Sequence, residues 1–145
     1  MKLQKLISKL EKHHKKKLDL SLGRTFNLLK KLGNPQDKLR NVITVVGTNA
    51  KASMCYSLKS ILNQGGYKTN LYTSPHLLSY TERYVFEDKE INEEDLIELL
   101  TDVEKTLGDD NATLFEILTC AFLKHAENFR DNINIIEAGL FHQFD

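Results

Sequence analysis

The stretch from residue 42 to residue 72 restricts the fold most, because it follows the order strand, short loop, helix, strand. Residues 42–46, VITVV, form a β-branched run without alternation, which predicts a strand buried on both faces. Residues 52–63 return to helical spacing, Gly65-Gly66 ends that helix, and residues 68–72 form the next predicted strand. A βαβ unit of this kind implies an α/β fold in which helices flank a parallel sheet.

Further elements are predicted on both sides of this unit. Apolar residues at helical spacing indicate two N-terminal helices, the first with Leu3, Leu6, Ile7 and Leu10 and the second with Leu22, Phe26, Leu29 and Leu32. Gly33 and Pro35 end the second helix. Residues 84–91 suggest a small hairpin, and residues 133–137 a third buried strand, parallel to the first two.

Two longer helices are predicted between the hairpin and the third strand. Asn92 is the expected N-cap of the first, which has acidic residues in its first turn and the core positions Leu96, Leu100, Val103 and Leu107. The second begins at Thr113, and its inner face consists of Leu114, Ile117, Leu118, Ala121, Phe122 and Phe129.

Composition narrows the class of protein. The chain has 145 residues, of which 41% are hydrophobic and 28% charged, so we expect one globular domain rather than disorder. No apolar run approaches the roughly 20 residues that cross a bilayer. The N-terminus alternates Leu and Ile with Lys and lacks the apolar core of a secretory signal, so we expect a cytoplasmic protein without a membrane partner. The net charge is zero, which gives no reason to expect nucleic-acid binding.

Two local features have an ordinary structural interpretation. The basic run from Lys12 to Lys17, with His13 and His14, is typical of a solvated helix end, and a phosphate or nucleic-acid contact is the alternative. Cys55 and Cys120 are far apart and lie in helical patterns, so we expect reduced, buried thiols.

The loop after the first strand is the most informative segment for function. It reads Gly47-Thr48-Asn49-Ala50-Lys51-Ala52-Ser53 and joins a buried strand to a helix. In that context backbone amides at the helix start bind phosphate, Lys51 reaches it as a point charge, and Ser53 is a candidate Mg²⁺ ligand. The general pattern G-x-x-x-x-G-K-[ST] is not met, since Val45 and Ala50 occupy its glycine positions. An ordinary strand-to-helix turn with an exposed Lys51 is therefore the alternative.

Several motifs together resemble the folylpolyglutamate/dihydrofolate synthase family, a relative of the Mur ligases. The loop is similar to the family's GTNGKGS, and residues 66–77, GYKTNLYTSPHL, are similar to its second strand and TSPHL loop. Smaller matches follow in the family's order, namely residues 20–24 with 32–35, Glu82-Arg83, residues 113–116, and residues 137–140 with Asp145. The resemblance extends from about Leu18 to the last residue.

The resemblance implies a P-loop, Mur ligase-like ATPase fold. Residues 1–145 are expected to be the N-terminal part of the ATP-binding domain, with the remaining ATPase segment and a C-terminal glutamate-binding domain outside them. The implied reaction uses ATP and Mg²⁺ to phosphorylate a carboxylate of folate or dihydropteroate, after which the amine of L-glutamate attacks the acyl phosphate. We expect the full-length family member to be monomeric, and residues 1–145 alone not to ligate glutamate.

The resemblance also assigns roles to individual residues. Lys51 is the expected catalytic residue, and residues 47–53 are expected to bind ATP. The expected metal ligands are Ser53, Ser74 and Glu137, and the expected substrate-binding residues are His76, Arg83, Phe115 and Glu116. Glu116 has a second interpretation, because Thr113-x-x-Glu116 is a capping box that satisfies a helix start without any substrate. Phe115 is equally a candidate core residue.

The chain departs from the family pattern in two places. Ala50 and Ala52 replace loop glycines, and Phe141-His142-Gln143 stands where the family has Gly-Gly-Arg. Ala52 falls inside the predicted helix, where alanine is the better residue, but Ala50 precedes the lysine, where a Cβ opposes a positive φ. A Mur-type amino-acid ligase and a non-catalytic binding module that kept the fold therefore stay open as alternatives.

Overall fold

The computed structural model describes residues 2–13 and 22–139. The helices are α1 (Lys2–His13), α2 (Gly23–Lys31), α3 (Lys51–Gln64), α4 (Glu93–Leu107) and α5 (Leu114–Ala126). The strands are β1 (Asn41–Val45), β2 (Thr69–Tyr72), β3 (Tyr84–Phe86), β4 (Lys89–Glu90) and β5 (Ile133–Glu137). The basic run beyond His13 and the departure at residues 141–143 lie outside the described ranges. No helix in those ranges is both long and apolar enough to cross a bilayer.

The strands form one mixed sheet in the order β1-β5-β2-β3-β4. β5 pairs in parallel with β1 on one side and with β2 on the other, which confirms the three predicted parallel strands. β3 and β4 form the predicted hairpin, and β3 pairs antiparallel with β2. The hairpin thus extends the parallel sheet and makes it mixed.

The prediction that the first strand is buried on both faces is wrong for the described residues. Val42 is 47% exposed and Val46 is 48% exposed, whereas Ile135 on β5 is fully buried. Among the described strands β1 has a neighbour on one side only, while β5 lies between two strands. An apolar run indicates a parallel strand, but it does not reveal which of the parallel strands lies at the edge.

Two apolar clusters cover the two faces of the sheet. The larger joins α1, α2, α4 and α5 to Tyr72, Tyr84 and Phe86, and the Tyr72 ring stacks on Phe122 with 5.0 Å between centroids. The smaller lies under α3 and contains Val45, Cys55, Leu71 and Ile135. Both cysteines are buried free thiols, as predicted. The four predicted core positions of α4 are all buried. Phe26 of α2 was also predicted to face the core, but it is 59% exposed, and Leu28 is buried in its place.

Helix ends follow the local signals that the sequence contains. The Asn92 side chain accepts a hydrogen bond from the Asp95 amide at 2.8 Å and caps α4. After α2 the chain turns at Gly33, with φ at 84°, and the Asn34 amide donates to the Leu29 carbonyl at 2.8 Å. A left-handed residue of this kind ends a helix and is favourable for glycine, so both boundaries follow from residues next to them.

Buried asparagines join the two central parallel strands. Asn70 on β2 and Asn134 on β5 are register partners and fully buried, and Asn70 Nδ2 donates to Asn134 Oδ1 at 2.9 Å. Asn132 Nδ2 donates to Asn70 Oδ1 at 3.0 Å. A slip of one residue between β2 and β5 would break both bonds and leave the buried Asn70 amide without these partners. The network therefore favours a single register.

We expect the single variant Asn70→Leu to lower the free energy of unfolding by about 2–3 kcal/mol, because it leaves the Asn134 and Asn132 amides without their partner. The double variant Asn70→Leu/Asn134→Leu should cost less than the sum of the two single changes, by at least about 0.5–1 kcal/mol. Urea denaturation of the four proteins in the cycle measures the coupling. Costs that simply add would show that the pair does not specify the register.

Candidate functional site

The carboxyl ends of the three parallel strands meet at one edge of the sheet. Val45, the last residue of β1, is paired with Glu137, the last residue of β5, and Tyr72 ends β2 one position earlier, opposite Ile136. The Ala138 amide donates to the Val45 carbonyl at 3.0 Å and continues this alignment past the strands. Each loop that follows a parallel strand and contains a predicted ligand-binding residue therefore begins at this same edge. Ligands of such sheets bind at the carboxyl ends of the strands.

The loop of residues 47–50 is exposed and leads directly into α3, which begins at Lys51. Ala50 occupies the N-cap position in the left-handed conformation, with φ at 61°, and no side chain caps the helix start. The first turn contains no acidic residue either. The amides and the positive end of the dipole of a 14-residue helix thus remain available to an anion.

Lys51 and Glu137 both act electrostatically on the same buried thiol. The pKa of Cys55 is raised to about 11, first by burial and then by the negative charge of Glu137, while the positive charge of Lys51 opposes both effects. Cys55 lies one turn after Lys51 on α3 and is fully buried. The cation on the first turn of α3 and the carboxylate at the end of β5 therefore both lie within electrostatic range of one thiol.

The structure brings Ser74 and Glu137 together. The Ser74 amide donates to Glu137 Oε2 at 2.9 Å, and the Glu137 residue is only 4% exposed. Ser53 is exposed on the first turn of α3, and within the described ranges no hydrogen bond joins it to either residue. The role of these three residues as metal ligands stays a prediction.

The donor set of this edge fits one particular kind of metal. The described part of the chain contains no group of three His, Cys, Asp or Glu residues that could hold an ion. The Glu137 carboxylate and the hydroxyls of Ser74 and Ser53, which are the predicted ligands, would offer only oxygen donors. Mg²⁺ suits this arrangement, since it prefers oxygen and is commonly held by one or two carboxylates together with phosphates and water.

The loop after β2 joins three of its side chains. Arg83 Nε donates to His76 Nδ1 at 3.0 Å, and the Arg83 guanidinium lies over the Tyr80 ring at 5.0 Å from its centroid. The rings of His76 and Tyr80 are 4.1 Å apart. Burial, and then the charge of Arg83, lower the pKa of His76 below its ordinary value, so the imidazole is neutral at neutral pH.

Sequence reasoning missed Tyr80, although it packs against both of the residues singled out in this loop. The sequence indicates Tyr80 only by its position, two residues before the Glu82-Arg83 pair. An isolated tyrosine in a loop is a weak indication of a functional role.

Glu116 is engaged in structural contacts. The Glu116 amide donates to Thr113 Oγ1 at 3.1 Å and the Thr113 amide donates to Glu116 Oε2 at 2.6 Å, which confirms the capping box. Arg24 also donates to both carboxylate oxygens, from Nη2 at 2.9 Å and from Nε at 3.2 Å. The sequence around Arg24 does not indicate this pair, because its partner is 92 residues away. Phe115 is half-buried in the first turn of the same helix.

Comparison with known proteins identifies relatives over nearly the whole chain. No family model matches it. A dihydrofolate synthase/folylpolyglutamate synthase of Escherichia coli K12 is 36% identical over 139 residues, which are 96% of this chain and 33% of the relative. The chain therefore spans about a third of the length of the curated relative that it matches.

Solved structures agree with the sequence comparison. A structure described as E. coli FolC in complex with DHPP and ADP matches with a TM-score of 0.91 and 36% identity, over 99% of this chain and 34% of the other. A bifunctional folylpolyglutamate synthase/dihydrofolate synthase of Yersinia pestis, complexed with AMPPNP and Mn, matches with a TM-score of 0.90 and 31% identity, over 99% and 35%.

Two alanine-to-glycine variants test the conformation of the loop. Ala50→Gly removes a Cβ from a left-handed residue, which relieves about 1–2 kcal/mol, while the added freedom of the unfolded chain costs about 0.4–1 kcal/mol. We expect an unchanged or slightly higher free energy of unfolding. The matched variant Ala52→Gly lies inside α3 and should lose about 0.5–1 kcal/mol. Urea denaturation compares the two, and equal losses would contradict the left-handed conformation at Ala50.

Proposed function

The chain belongs to the dihydrofolate synthase/folylpolyglutamate synthase family over the third of the relative's length that it spans, and we propose that it is the N-terminal part of this family's ATP-binding domain. In the proposed reaction, ATP phosphorylates a carboxylate of folate or dihydropteroate, and the amine of L-glutamate then displaces the phosphate. One observation carries the proposal. The loop at the start of α3, Lys51 and the buried Glu137 share the edge where the parallel strands end.

The residues of this chain have complementary tasks in that reaction. The amides of residues 47–53 bind the phosphates of ATP, and Lys51 neutralises their charge. Glu137, Ser74 and Ser53 would hold Mg²⁺, which when bound would supply further positive charge to neutralise the phosphates. Bringing two anions into contact is the main electrostatic obstacle in such a transfer, so fixed positive charge at this edge is the contribution that the reaction needs.

The proposed substrate-binding residues lie in the segment after β2 and on the first turn of α5. Arg83 provides a cation for a carboxylate, and His76, held neutral next to it, orients the guanidinium through its Nδ1. Phe115 is the proposed aromatic wall of the pocket. Glu116 has its oxygens occupied by Thr113 and Arg24, so its proposed contribution is to position the helix start rather than to bind the ligand directly.

The ligands of the relatives support the folate-type reaction over the alternatives. The E. coli structure is described with DHPP and ADP, and the Y. pestis structure with AMPPNP and Mn. The proposed co-substrate and cofactor of this chain are accordingly ATP and Mg²⁺, and its proposed substrates are folate or dihydropteroate and L-glutamate. A cytoplasmic location and a monomeric full-length protein stay predictions of the sequence analysis.

Nucleotide binding tests the role of Lys51. We expect Lys51→Ala to weaken the binding of an ATP analogue about 10–100-fold, because it removes charge-assisted contacts to phosphate. The matched control is Lys105→Ala, an exposed lysine on α4, which should leave the affinity unchanged. Isothermal titration calorimetry measures both. An affinity that is the same in Lys51→Ala and in the wild type would contradict the proposed phosphate site.

Metal dependence tests the role of Glu137. The variant Glu137→Gln keeps an acceptor for the Ser74 amide but removes the negative charge that a cation requires. We expect Mg²⁺ to tighten the binding of the ATP analogue to the wild type and to have much less effect in the variant. Without metal, the variant should bind the analogue at least as strongly as the wild type does. A variant that responds to Mg²⁺ as the wild type does would exclude Glu137 as a ligand.

A further inference from the structure

We infer that Glu82 is a positioning residue that holds the backbone of residues 76–79 in the shape in which this loop meets its ligand. The inference rests on the proposed function, because that function makes the loop part of the substrate site. The carboxylate accepts three consecutive backbone amides. The Leu77 amide donates to Oε2 at 2.8 Å, and the Leu78 and Ser79 amides donate to Oε1 at 2.8 and 2.7 Å.

A simple capping box does not account for these contacts. Ser79 and Glu82 do form such a box around the short helical turn Tyr80–Arg83. A capping box uses the glutamate to accept only the amide of the N-cap residue, which here is Ser79. The same carboxylate also accepts the amides of Leu77 and Leu78, the two residues before the N-cap. The helical turn and the loop before it therefore form one hydrogen-bonded unit.

Burial does not hold this part of the loop. Leu77 is 92% exposed and Leu78 is 93% exposed, so neither side chain contributes apolar packing that would order its backbone. Hydrogen bonds to a carboxylate are about twice as strong as those between neutral groups. The amides of Leu77 and Ser79 are the main causes that lower the pKa of Glu82, so the carboxylate is charged at neutral pH.

The next residue fixes the same loop through a side chain. Arg83 donates to His76 and lies over Tyr80, so the two consecutive residues hold both ends of the segment 76–79. Glu82 orders the backbone, and Arg83 orders the histidine that precedes it. The result is a fixed turn on which the apolar side chains of Leu77 and Leu78 are exposed.

Amide chemical shifts test the positioning directly. In proton–nitrogen spectra we expect the amides of residues 77, 78 and 79 to move together as pH falls, reporting one group whose pKa lies below that of an ordinary glutamate. In Glu82→Gln this common titration should disappear. The matched control Glu98→Gln, at an exposed position on α4, should retain it. If the chemical shifts of the Leu77 and Leu78 amides in the wild type do not change with the titration of Glu82, the inference is overturned.

Ligand affinity tests the consequence for the site. We expect Glu82→Gln to weaken folate binding by about tenfold, because a loosened loop must be ordered on binding, and to leave the affinity for an ATP analogue unchanged. Glu82→Asp keeps the charge but is one methylene shorter, so an intermediate affinity is expected. Unchanged folate affinity in a variant that has lost the amide titration would overturn the positioning role. Absence of folate binding by the wild type would instead contradict the proposed substrate, and the amide titration alone would then decide the role of Glu82.

Discussion

The parallel alignment of β1, β5 and β2 is the constraint on which the rest of the structure depends. Asn70 and Asn134 join the two central strands in the interior, and the hydrogen bond between their amides forms in one register only. Because these strands run in the same direction, their carboxyl ends lie at one edge, and the loops that follow them begin beside each other. For this reason the loop after β1, which we propose binds phosphate, begins at the same edge as the buried carboxylate at the end of β5.

Charge at that edge is arranged around a nonpolar base. Lys51 and Glu137 are close enough to shift the pKa of Cys55 in opposite directions, while the thiol itself is fully buried and in its neutral form. The base of the site is therefore closed to water, and Glu137 is itself only 4% exposed, so its interactions are less screened than those of a surface carboxylate. Ala50 adds a local cost, since its left-handed conformation is one that glycine adopts more easily.

Glutamates have different roles at the start of α5 and in the segment after β2. Glu116 caps α5 and pairs with Arg24, so it links α2 to the start of the helix that contains Phe115. Glu82 binds three loop amides, and the adjacent Arg83 holds His76. In both cases a carboxylate orders the backbone close to the proposed substrate, which reduces the conformational entropy that binding must remove.

Features that depend on neighbouring residues could be predicted from the sequence. The parallel strands, the N-cap at Asn92 and the capping box at Thr113 and Glu116 all follow from local patterns, and the structure confirms them. The resemblance of the motifs indicated the family, and the comparisons confirmed it. The edge position of β1 and the Arg24–Glu116 pair depend instead on residues far apart in the chain. Periodicity and propensity describe one segment at a time, so only the tertiary structure could decide which segments pack together and which of the described parallel strands has a single neighbour.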